Sequence, residues 1–276
     1  MKRHVNRLIV AAFLSVFTFF FMFPIYWTLT TSIKPKEAII KLPPEWFPVH
    51  FTLTNYADVF TQNHLLRIFF NSLFVASATT VITVAITALG GYGFSRFRFR
   101  GRSFWVYTTI IVRMIPGLLF IIPYYVMFQK VGLLDKLSGL VIVNVTAALP
   151  LAIYLFMGFY NEMPSEIFES ATMDGCSEYG KFAKVALPLV TPGIVVTSIL
   201  VFIGAWNEFS LSLILTFSDD KKLLPLAISS LIEVQKDTPL GTIAAAGTIA
   251  MIPTVILSLT TQKYIVEGFT AGAVKG

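Results

Sequence analysis

Arg113 and Glu208 each interrupt an apolar stretch that is otherwise free of charge. Ionisable side chains in such stretches are costly, and they normally face a polar pathway or a charged partner. Two accounts fit them. They form a mutual ion pair that locks helix packing, or they line a path for a hydroxyl-rich solute, with Asn207, Tyr124 and Asn144 as further candidates. Asn inside a span often just bonds a neighbouring helix. A second pattern sits at Gly175-Cys-Ser-Glu-Tyr-Gly-Lys181, which has P-loop spacing. Phe182 stands where a P-loop needs Ser or Thr for magnesium, and Glu178 would meet the phosphates, so the pattern argues against nucleotide binding. His4, His50 and His64 lie apart from any Ser, Cys or carboxylate arrangement, and no active site is visible. The single Cys176 supports neither a disulfide scaffold nor a thiolate metal site.

The elements that must position these residues are set by composition. Of 276 residues 55% are hydrophobic and 13% charged, and the mean hydropathy is +0.75. That is too little charge for a soluble surface and too much apolar content for disorder. The charges bound six apolar stretches, each long enough for the roughly 20 helical residues that cross a bilayer: 8–33, 68–95, 104–129, 139–160, 191–217 and 242–263. They are too continuous for barrel strands, so an all-α membrane fold of six transmembrane helices in one domain is expected. Lys2, Arg3 and Arg7, and the cluster Arg96, Arg98, Arg100 and Arg102, flank helix ends on one side. The positive-inside rule makes that side, with both termini, cytoplasmic. The charge of +6 then reads as topology and contact with membrane lipid, with no nucleic-acid groove required. The first stretch is longer than a signal-peptide core and lacks a small-residue cleavage pattern, which favours an uncleaved anchor.

Between the spans, 34–67 interleaves Pro35, Pro43, Pro44 and Pro48 with Trp46, Phe47 and Phe51. It is an interfacial hairpin anchoring the first two spans, or a docking surface for an external partner. On the cytoplasmic side, 162–188 is the least membrane-like segment. Pro164 and Glu166 suit a helix start, Ile167, Phe168 and Ala171 form one apolar face, and Asp174-Gly175 breaks the helix. Ser177 is placed to cap a second short helix carrying Phe182 and Val185. Such a pair lies flat on the headgroups or offers a knob to a soluble protein.

Glu169-Ser170-Ala171, three residues, Gly175, nine residues, Val185, one residue and Leu187-Pro188 resemble the EAA signature of ABC importer permeases. Ser170 replaces Ala and Val185 replaces Ile in that pattern. Asp174 and Phe182, Met114-Ile-Pro116, Trp206-Asn-Glu-Phe209 and the ending Gly268-Phe-Thr-Ala-Gly-Ala-Val-Lys-Gly276 are similar to the maltose-type, second-permease branch of carbohydrate importers. The resemblance implies a type I importer permease fold in the cytoplasmic (inner) membrane of a bacterium or archaeon. It implies that Glu169, Ser170, Ala171, Asp174, Gly175, Phe182, Val185, Leu187 and Pro188 form a coupling helix for a separate ATPase subunit. Gly268, Thr270, Gly272 and Lys275 would be a second ATPase contact, or simply a small-residue tail over 264–276. The implied partners are a paralogous permease, two ATPase subunits and an extracytoplasmic sugar-binding protein. ATP and magnesium would sit on the ATPase subunits, with no cofactor and no catalytic residue on this chain. The cargo class is a di- or oligosaccharide. An ion-coupled secondary transporter or channel is the competing class, and it would need coupling carboxylates in mid-span, for which only Glu208 is available.

Overall fold

A computed structural model describes residues 2–61, 65–234 and 239–273 of the chain, and no strand occurs among them. The helices used below are α1 (Lys2–Ser32), α2 (Thr54–Thr61), α3 (Leu65–Arg96), α4 (Arg102–Met114), α5 (Gly117–Lys130) and α6 (Leu137–Asn161). They continue as α7 (Ser165–Met173), α8 (Glu178–Leu189), α9 (Thr191–Trp206), α10 (Ser210–Leu215), α11 (Leu224–Val234) and α12 (Leu240–Ala273). Four segments are single helices long and apolar enough to cross a membrane, and two more qualify as bent pairs, which together make up to six spans.

The chain divides into two compact units, 1–67 with 227–252 and 68–226 with 253–276. In the first, the proline-rich segment folds back on α1. Tyr26 donates to the Trp46 carbonyl at 2.6 Å, and Trp46 packs against Phe23 and Trp27. Lys34 is buried, its ammonium 4.8 Å from the centre of the Trp27 ring. Asn55 on α2 donates to the carbonyls of Ser32 and Lys34 at 2.9 Å each, closing the loop. Phe47 and Phe51 stay exposed, as interfacial aromatics do.

In the second unit α4 and α9 pack on α6. α3 and α6 cross at Gly91, where a side-chain carbon would come within 2.6 Å of Phe156 Cβ; only glycine permits that approach. Two cores result. One gathers Val75, Phe128, Leu140, Val143, Leu215 and Leu223. The other gathers Ala88, Tyr92, Phe156, Tyr160, Phe168, Ala186 and Val190.

Three expectations about continuity change. The stretch 104–129 is not one helix: α4 and α5 meet at 98°, with Ile115 and Pro116 extended at ψ 124° and 126°. Proline disfavours helical backbone in the residue before it, and this break follows. The stretch 191–217 also breaks, at Asn207–Phe209, and α9 meets α8 at 71° between Pro188 and Pro192. Residues 264–273 of the terminal stretch are helical, since α12 runs to Ala273. Gly268, Thr270 and Gly272 therefore lie on a helix, and Lys275 lies outside the described residues.

Candidate functional site

The segment 162–188 forms two short helices meeting at a glycine corner. α7 starts after Pro164, with Glu166 in its first turn, and ends where Gly175 takes φ +79°. That left-handed turn lets Cys176 N–H reach the Ala171 carbonyl at 2.9 Å and Gly175 N–H reach that of Thr172 at 3.0 Å. Ser177 Oγ accepts from Gly180 N–H at 3.2 Å and so caps α8. Lys181 pairs with Glu178 and donates to Thr172 Oγ1 at 3.2 Å, tying the second helix back to the first.

The corner has two faces. Glu169, Ser170, Asp174, Gly175 and Pro188 are exposed, with Met173 and Tyr179 beside them at 88% and 77% exposure. Ala171 is buried, and Phe182, Val185 and Leu187 are half-buried against the second core. Apolar groups that large and that exposed on a segment without spanning length suit a partner's groove.

Sequence reasoning missed what holds the corner. Arg96, in the last turn of α3, donates from Nη2 to the carbonyls of Tyr160 at 2.9 Å and Met163 at 3.2 Å. The same guanidinium lies 3.8 Å above the Phe168 ring, so one residue joins α3, the end of α6 and α7. Tyr92 packs on Tyr160, Phe168 and Phe182 with ring centroids 5.5, 6.3 and 5.2 Å away. Tyr160 donates to the Ala88 carbonyl at 3.1 Å. In sequence Arg96 was one of four neighbouring arginines, and nothing local separates it from Arg98, Arg100 and Arg102.

The second site is a cavity of 560 Å³ at the α4–α5 bend. Arg113, Tyr124, Thr146, Glu208 and Ser210 contribute its polar lining. A smaller cavity of 240 Å³ shares Arg113, Ala147 and Glu208 with it and adds Asn144. Arg113 and Glu208 are thus brought to one place, yet among the described residues they form no ion pair. Glu208 Oε1 instead accepts from Leu211 N–H at 2.8 Å, capping α10 across the break. Asn207 bonds its own helix, Nδ2 to the Ile203 carbonyl at 2.8 Å, and belongs to neither lining. Among the described residues no group of His, Cys, Asp and Glu could hold a metal ion.

A family profile for the inner membrane component of binding-protein-dependent transport systems matches residues 88–270, which include the corner and, apart from Thr79, the lining of both cavities. The chain is 34% identical to the trehalose transport system permease protein of Mycobacterium tuberculosis, over 92% of this chain and 93% of that protein. It is 32% identical to the trehalose/maltose transport system permease protein of Thermococcus litoralis, over 92% of each. A chain of a bacterial ABC transporter involved in the import of the polysaccharide alginate superposes with a TM-score of 0.84, over 96% of this chain and 98% of that one. At 21% identity the likeness to that structure is one of fold.

Proposed function

The chain belongs to the inner membrane components of binding-protein-dependent transport systems, and from that premise we propose that it is a permease subunit of an ATP-driven carbohydrate importer, carrying a di- or oligosaccharide into the cytoplasm. The exposed face of α7 and α8 supports coupling to a separate ATPase subunit, because its apolar and acidic groups stand out from a rigidly held base. The cargo reading rests on the relatives, two of which are named for trehalose transport.

The mechanism follows from what the corner touches. A partner gripping Glu169, Ser170 and Asp174 moves α7, and Arg96 and Phe168 transmit that motion to α3 and α6. α8 runs through a single bend into α9, just past whose end Glu208 lines the larger cavity. Displacing the corner therefore moves one wall of that cavity. ATP and the loaded binding protein must both favour the same state, since a ligand shifts an equilibrium only by its differential affinity. A paralogous permease completes the path, both termini face the cytoplasm, and the end of α12 gives a second ATPase contact at Gly268, Thr270 and Gly272. Vesicles holding the chain with its permease, ATPase and binding-protein partners are expected to accumulate labelled trehalose, maltose or diacetylchitobiose only when ATP is supplied on the ATPase side. Uptake driven by an ion gradient without ATP contradicts this reading and favours a secondary transporter.

A further inference from the structure

One wall of the smaller cavity carries a polar group that helix packing leaves unexplained. Thr79, on α3, is fully buried, and its hydroxyl has no hydrogen-bond partner. Thr83, one turn along the same helix, is likewise buried with an unpaired hydroxyl but lines neither cavity, whereas two other threonines of that helix are satisfied. Thr80 donates to the Ala76 carbonyl at 2.7 Å and Thr87 to that of Thr83 at 2.8 Å. Buried hydroxyls are costly when unpaired, and of these buried, unpaired threonines Thr79 is the one that borders a space where a partner from outside the chain could sit. Its place in the lining points to what that is. Thr79, Asn144, Arg113 and Glu208 surround the 240 Å³ space, while Ala148 and Gly204 leave it room.

We propose that this smaller cavity is a subsite for one uncharged pyranose ring of the transported sugar, the remainder of the molecule occupying the adjoining 560 Å³ cavity, and that Thr79 is a specificity-determining contact. The inference rests on the carbohydrate reading above and deepens it. A sugar ring presents hydroxyls that donate and accept around its rim. The wall offers a hydroxyl that does both, a carboxamide, a guanidinium that only donates and a carboxylate that only accepts. Arg113 and Glu208 cancel in formal charge, which disfavours an ionic solute relative to a neutral one. Their membership of both linings puts the charged pair at the boundary of the two spaces, where a glycosidic link would pass. Water alone is the competing occupant, with space for about eight molecules at about 30 Å³ each.

The complete complex of both permeases, the ATPase subunits and the binding protein tests this, using whichever of trehalose, maltose and diacetylchitobiose the unaltered complex takes up. In a Thr79→Cys complex, a small methanethiosulfonate reagent is expected to modify the new thiol, and saturating sugar with ATP is expected to slow that reaction at least about fivefold. The unaltered complex, which carries Cys176, sets the background. Thr79→Val is expected to raise KM for uptake about fivefold, the loss of one ordinary hydrogen bond. A thiol that reacts equally fast with and without sugar leaves water as the occupant and overturns the subsite. A thiol that does not react at all, or an unchanged KM, overturns it as well. Failure of the unaltered complex to take up any of the three sugars counts against the carbohydrate reading itself and removes the subsite with it.

Discussion

The α7–α8 corner and the Arg113–Glu208 cavity are built in opposite ways. At the base of the corner the groups are committed: Arg96 to two carbonyls and a ring, Lys181 to Glu178 and Thr172, Ser177 to a cap, Gly175 to a turn. Around the cavity Thr79 is unpaired and Arg113 and Glu208 reach a common space without an ion pair, although Asn144 and Glu208 each keep one hydrogen bond to the backbone. A segment that transmits force benefits from stiffness, because slack in Arg96 or Phe168 would absorb the partner's motion. A pathway needs polar groups left free for cargo, because a satisfied network has nothing to offer it. The same 71° bend, between α8 and α9, connects the two regions.

The sharpest way to break the contrast is to make the corner unable to turn. Proline at position 175 cannot adopt φ +79°, so Gly175→Pro is expected to abolish ATP-dependent uptake while the protein stays in the membrane at its normal level. Immunoblotting of membranes beside a transport assay checks both parts. Glu169→Lys reverses charge on the exposed face without touching the buried one, and it is expected to give the same loss. Next comes slack at the base. Arg96→Leu removes two hydrogen bonds and the contact with Phe168, and uptake is expected to fall about tenfold, equivalent to about 1.4 kcal/mol of coupling. Arg96→Lys keeps the charge but not the planar fork, so it should fall between the two.

On the cavity side the expected effects are smaller and of another kind. Glu208→Gln can still accept from Leu211 N–H, so α10 should stay capped, whereas a free carboxylate is lost to cargo. A rise in KM of about fivefold with little change in maximal rate is expected, and a collapse of maximal rate would instead assign Glu208 to coupling. The double exchange Arg113→Glu with Glu208→Arg is not expected to restore what each single change loses, because the two share a cavity lining without forming an ion pair.

The smallest effect belongs to a loop outside the spans. Asp135 accepts from Ser218 Oγ at 2.5 Å, Phe217 N–H at 2.9 Å and Ser218 N–H at 3.0 Å. The Ser218 hydroxyl above all, opposed by desolvation, holds its carboxyl below the usual carboxylate range. A depressed folded pKa contributes stability above the unfolded value of about 3.9, and that stability is lost as pH falls through the folded value. Asp135→Asn should therefore melt slightly below the unaltered protein at pH 7, and the gap should close below about pH 4 in a thermal scan.

Charge spacing was enough to mark the long apolar helices, because a bilayer taxes every charge in its interior and so confines charges to the ends of helices. The corner was also legible, since Pro164, Gly175 and Ser177 act through local backbone geometry. Continuity was not: an apolar stretch reports its length and says little about a 98° turn at Ile115–Pro116. Nor were the roles of Arg96 and Thr79, which depend on partners or voids far along the chain, such as the Tyr160 carbonyl 64 residues away. The helical run through Gly268 and Gly272 was hidden by their low helix propensity, a local preference that the structure overrides.

Affinity purification of the tagged chain from membranes that also express its partner permease and ATPase subunits tests the coupling corner most directly. An ATPase subunit is expected to co-purify with the unaltered chain and to be lost from Gly175→Pro and Glu169→Lys, with the partner permease retained in all three. An ATPase held equally by all three chains would contradict coupling through α7 and α8.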